Sequence, residues 1–86
     1  MSAKAEYNID VSPDAAFTIT YDDQLGRLIF TIEVETDAKI VFLNQRPTQG
    51  GRIVDVCDER ARKRVDLAVR RVIEYFASKG LTVELD

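Results

Sequence analysis

The sequence has no histidine and no tryptophan, and only one cysteine, one methionine, two prolines and four glycines in 86 residues. Without histidine it lacks the side chain that most often carries acid–base chemistry and transition-metal ligation near neutral pH. No metal site and no cofactor are therefore expected. The single Cys57 excludes an intramolecular disulfide. A chain this short must then be held by its core or by another subunit. One unpaired thiol suits a reducing compartment, so the expected location is the cytoplasm. No apolar run approaches the ~20 residues of a membrane-spanning helix. The opening MSAKAEYNID lacks the apolar stretch of a secretory signal. No membrane association is expected.

What is present is 45% hydrophobic and 31% charged residues, patterned as in a folded α+β protein rather than a disordered chain. The length suits one domain over residues 1–86. Net charge is −3, with 12 basic and 15 acidic residues, which makes no global case for nucleic acid. The charge is polarised. Residues 1–43 carry three bases and eight acids, whereas residues 44–86 carry nine bases and seven acids. A molecule divided in this way is suited to docking a complementary partner or another copy of itself.

Period-two alternation marks strands. Tyr7, Ile9 and Val11 share one face of the first, over residues 6–11. Ser12-Pro13-Asp14 turns the chain. Phe17, Ile19 and Tyr21 share one face of the second, over 15–21, and a five-residue hairpin loop ends at Gly26. Leu28, Phe30, Ile32 and Val34 line the third, over 27–35. After a turn at Thr36-Asp37, residues 39–43 form a uniformly apolar fourth strand. Residues 44–51 are the one long loop, and Ile53, Val54 and Val56 suggest another short strand.

Asp58 is a favoured N-cap, with Glu59 at the positive end of the helix that follows. Ala61, Val65, Ala68, Val69, Val72, Ile73 and Phe76 recur at helical spacing, an apolar stripe. Gly80 is placed to end the helix as its C′ residue, with Lys79 in the last turn. The expected helix has ~22 residues and a length of ~33 Å. Leu81, Val83 and Leu85 then alternate in a final strand. The expected fold is α+β, a mostly antiparallel sheet of five to six strands on one long helix near the C-terminus, in the order β-β-β-β-(β)-α-β. One helix spans two or three strands, because helices pack ~10 Å apart and strands ~4.8 Å. The sheet is wider than that. Ile29, Val41 and Leu43 are expected on the uncovered face, where a second copy would cover them as a homodimer.

Among candidate chemical groups, Cys57 lies at a strand-to-helix junction, where a thiolate can be stabilised. Asp58 and Glu59 follow it, where an anionic substrate would sit, so a small, partly buried hydrophobe is the preferred reading. The loop of Arg46, Gln49, Gly50, Gly51 and Arg52 lacks the Lys-Ser/Thr of a phosphate loop. It is read as a flexible hairpin and a candidate contact site. Asp22-Asp23 and Glu33, Glu35 and Asp37 are acidic groups read first as solvated sheet surface; Glu33 and Glu35 share a strand face, where loose cation binding or a basic partner is the alternative. Arg60, Lys63, Arg64, Arg70 and Arg71 fall within ~120° of one helix face, around Leu67. Glu59–Lys63, Arg62–Asp66, Asp66–Arg70 and Arg70–Glu74 have i,i+4 spacing. A solvated, salt-bridged face is the first reading of this basic stripe. An acidic protein partner and nucleic acid are the alternatives.

Residues 53–85, IVDVCDERARKRVDLAVRRVIEYFASKGLTVEL, resemble the strand–helix–strand unit of GNAT-type acetyltransferases. The match is best over VIEYFASKGLTVEL. The resemblance would imply acyl-CoA binding at the helix start, where that family has Arg/Gln-x-x-Gly-x-Gly/Ala. Here Arg60-Ala61-Arg62-Lys63-Arg64-Val65 keeps the arginine and places Lys63 and Val65 at the small positions. The sequence thus points first to a small non-catalytic protein-interaction or regulatory module, expected to be homodimeric. A degenerate acyl-CoA-binding domain or a weak nucleic-acid binder acting through the basic helix face are the alternatives.

Overall fold

A computed structural model describes residues 6–12, 18–35 and 37–85. The elements are β1 (Tyr7–Ser12), β2 (Thr18–Asp23), β3 (Gly26–Glu35), β4 (Ile40–Leu43), β5 (Thr48–Gln49), β6 (Arg52–Ile53), α1 (Glu59–Ala77) and β7 (Thr82–Leu85). The sheet runs β1-β2-β3-β4-β7, with the small β5–β6 hairpin attached to β3. This is the α+β class expected, with one qualification. The last strand pairs parallel with β4, so the sheet is mixed. The expected turn at Ser12-Pro13-Asp14 and the start of the second strand extend into 13–17, outside the described residues, as does Thr36.

The alternation read in β1 to β3 sets the core. Ile19, Tyr21, Leu28, Phe30 and Ile32 are buried against Val65, Ala68, Val69, Val72 and Phe76 of α1. Burying a side chain of this size contributes about 1.5–3 kcal/mol, which is how a disulfide-free chain is held. Among the described strand residues, full burial falls on β2, β3 and β4, while Tyr7, Ile9 and Val11 on β1 and Val83 on β7 are partly buried. One helix therefore covers three strands, as packing distances require.

Two of the three residues expected on the uncovered face are not there. Val41 and Leu43 are fully buried under the helix, and only Ile29 is exposed. The cause is register. Val41 lies opposite Val34 and Leu43 opposite Ile32, and opposed residues share a face. A uniformly apolar strand does not reveal which face is inward. The open face instead carries the half-buried Ile40 and Phe42, with Phe42 opposite Glu33 on one side and Glu84 on the other.

Turns also differ from expectation. Asp23 pairs with Gly26, so the β2–β3 hairpin has a two-residue turn, Gln24-Leu25, rather than a five-residue loop. β4 and β5 follow one edge of β3 with a surplus between them, since Leu43 faces Ile32 and Thr48 faces Ile29. That surplus contains the buried Pro47, which has no N–H to give to a ladder. The loop expected at 44–51 includes a tight hairpin. Gln49 pairs with Arg52, and Gly50 and Gly51 take φ +61° and +81°, as a type I′ turn demands. The expected strand at 53–56 is only Arg52–Ile53. Val54 N–H bonds the Pro47 carbonyl at 3.0 Å, and the chain then leaves the sheet.

Asp58 caps α1 by accepting the Arg60 N–H at 3.1 Å. The helix ends at Ala77, short of the expected Lys79, with Ser78 as its cap. Gly80 N–H to Ala77 and Leu81 N–H to Phe76, both 3.0 Å, close the paired turn that ends many helices.

Candidate functional site

Arg64 and Arg71 are seven residues apart and so lie on the same edge of α1. That edge borders the apolar stripe, and long arginine side chains there bend over the sheet. Arg64 gives Nε and Nη2 to the two oxygens of Asp23, at 3.2 and 2.7 Å. It also donates to the Gly26 carbonyl at 3.0 Å and to Gln49 Oε1 at 3.1 Å. The Arg64 and Asp23 side chains are 13% and 12% exposed. Burial works to raise the Asp23 carboxyl, but bonds from Arg64 and the Leu25 amide outweigh it and hold it below the ordinary value.

Arg71 donates to the Tyr21 hydroxyl at 2.6 Å and to Glu6 at 3.3 Å. Its guanidinium lies 4.3 Å over the Tyr7 ring, which stacks on Tyr21. Burial pushes the Tyr21 hydroxyl above its ordinary range, and Arg71 counters only part of that. The expected five-residue basic face is therefore corrected. Arg64 and Arg71 turn inward and tie the helix to the β2–β3 hairpin and β1, while Arg60, Lys63 and Arg70 remain exposed. Of the four i,i+4 pairs, Lys63–Glu59 is formed at 3.5 Å, the one such pair among the described residues.

The candidate contact loop divides in the same way. Gln49 is structural, because it receives Arg64 and donates to the Leu25 carbonyl at 3.3 Å. Gly50 and Gly51 form the hairpin tip, and Arg52 is exposed beside them. Cys57 is exposed, not partly buried. Asp55 accepts its N–H at 2.9 Å in a local turn that lifts this segment from the sheet. Among the described residues no three or more Cys, Asp or Glu side chains gather as metal ligands.

Arg46 leads to a concavity beside the helix. A groove of about 640 Å³ lies between the 45–46 loop, the 53–56 segment and the first half of α1. Its apolar lining is Ile53, Val54, Val56 and Val65, with Arg46, Arg62, Asp55 and Asp66 supplying charge of both signs. Ile53 is 67% exposed and Val56 42%. Sequence reading misses the groove. Ile53 and Val56 look like core residues of a strand until the chain is seen to leave the sheet at Val54. Arg62 and Asp66 look like one partner pair, but their side chains line the groove.

No known protein family, curated protein or solved structure matches the chain. Among the described residues no helix is long and apolar enough to cross a membrane.

Proposed function

We propose that the chain is a non-catalytic protein-interaction module of the cytoplasm, homodimeric, that receives an extended segment of a partner protein in the groove beside Ile53. The observation that carries this reading is the composition of that groove. Exposed Ile53 and Val56 stand beside Val54 and Val65, within reach of two arginines and two aspartates. Contiguous exposed apolar surface rimmed by polar groups marks interaction sites. An extended segment offers alternate side chains to such a floor. The occupant it suits has an apolar side chain flanked by one acid and one base.

The alternatives fit less well. At the helix start, where acyl-CoA phosphate would bind, the Asp58 carboxylate already takes the Arg60 N–H, and Glu59 adds a second negative charge. For nucleic acid, Arg64 and Arg71 are already engaged inside the protein.

A photo-crosslinking amino acid at Ile53, introduced in the native cell, tests the reading. A specific protein adduct is expected at Ile53 but not at Glu33 on the open sheet face. The adduct should be lost in the Arg46→Glu/Arg62→Glu variant. Equal recovery from both positions, or no adduct at Ile53, overturns the reading.

A further inference from the structure

The outer edge of β7 is unpaired among the described residues, and its geometry is self-complementary. Thr82 N–H bonds the Lys39 carbonyl at 2.9 Å, at the start of the parallel ladder with β4. Along a strand, backbone groups alternate between its two edges. Thr82 and Glu84 thus face β4, while Val83 and Leu85 turn their N–H and C=O groups outward. Natural edges are usually guarded by lysine, proline or a bulge. This one carries a single charge, Glu84, and Leu85 is 47% exposed at its end.

We propose that two copies of the chain pair antiparallel through β7, about a two-fold axis at Val83. This rests on the reading of the chain as a homodimer and names the surface. Two symmetric registers, centred on Val83 or on Glu84, form four backbone bonds, and those centred on Thr82 or Leu85 form two. Centring on Glu84 sets the two Glu84 side chains opposite each other, and like charges directly opposed are destabilising. Centring on Val83 sets Glu84 opposite Thr82 of the second copy, whose hydroxyl can donate to the carboxylate. In that register Val83 exchanges two bonds with its counterpart. Each Leu85 N–H meets the Leu81 carbonyl of the other copy. The Leu81 N–H is already used, on Phe76 at 3.0 Å, and its carbonyl is the group the register needs.

Side chains agree with the same register. Val83 and Leu85 lie beside the buried Val41 and Leu43. Pairing sets Val83 against Val83, and Leu85 against Leu81, so the apolar layer under the helix continues across the axis. The contact is isologous and closed. It consumes the β7 edges and places both helices on one face of the joined sheet. A four-residue edge buries less than a standard interface, so the dimer is weak, with Kd on the order of 100 µM.

Sedimentation of the whole chain from about 10 µM to 1 mM spans that range. A reversible monomer–dimer equilibrium is expected. Thr82→Lys places a lysine opposite Glu84 of the other copy and should tighten the dimer about five-fold at low salt, with the gain lost at high salt. A reversible tightening that salt abolishes separates charge pairing from the association of misfolded chains. Thr82→Lys/Glu84→Lys should reverse it and loosen the dimer below the native affinity. A monomer at the highest concentration overturns the proposal, as does a Thr82→Lys chain that dimerises no better. Crosslinking at Ile53 is read separately. A monomer that still gives the Ile53 adduct overturns the β7 pairing and the homodimer but leaves the groove, and a β7 dimer without the adduct overturns only the groove.

Discussion

The Arg64 guanidinium and the Asp23 carboxylate meet in two hydrogen bonds, at 2.7 and 3.2 Å, across 41 residues of sequence. The same arginine reaches the Gly26 carbonyl and Gln49. One side chain thus joins the helix, the β2–β3 turn and the β5–β6 hairpin that borders the groove region.

Arg64→Ala should destabilise the fold by about 2–3 kcal/mol, since it leaves a largely buried carboxylate without its charged partner. Arg64→Lys should recover less than half, because an ammonium cannot fork to both oxygens and still reach two further acceptors. Urea unfolding at neutral pH measures both.

Acid should weaken the protein through Asp23. Its folded carboxyl is held below the unfolded value of 3.8. The stabilisation is present above that value and is lost as pH falls through the folded one. Asp23→Asn should be less stable at neutral pH and lose less stability on acidification. Unfolding midpoints measured between about pH 2 and 6 compare the two chains.

Alkali should act through Tyr21. Its folded hydroxyl is raised above the unfolded value of 10.0, burial being the largest cause. Its contribution is complete below that value and is lost as pH rises through the folded one. Phenolate absorbance should show the Tyr21 hydroxyl ionising above the ordinary range. Tyr21→Phe should abolish that late step and cost about 1 kcal/mol, as Arg71 loses an acceptor.

Gly26→Ala should destabilise by about 1–3 kcal/mol. The residue has φ +124°, and an added Cβ would lie 2.7 Å from Gln49 Nε2. Displacing Gln49 removes its bond to Arg64. Proton exchange at the Arg64 guanidinium should therefore accelerate along with the drop in melting temperature.

Much of the fold is legible in the sequence because it is local. Alternation in residues 18–21 and 28–34 assigns faces, since adjacent side chains on a strand point oppositely. The helical repeat from Ala61 to Phe76 and the Asp58 cap locate α1, and Gly80 marks its end. These signals depend on residues a few positions apart. The inward direction of Val41 and Leu43 does not, because Ile40 to Leu43 are all apolar and only pairing with Ile32 and Val34 chooses a face. Arg64 and Arg71 share one helix edge by their seven-residue spacing, yet only their distant partners Asp23 and Tyr21 turn them from a surface stripe into internal ties. The groove arises likewise, where Val54 bonds Pro47 and the following residues depart from the sheet beside α1. Sequence by itself determined the order of the main strands and the helix and the apolar faces of β1, β2, β3 and α1, through short-range backbone geometry. Register, the destination of each arginine and the groove were decided only by the tertiary structure, because each depends on which distant segment is adjacent.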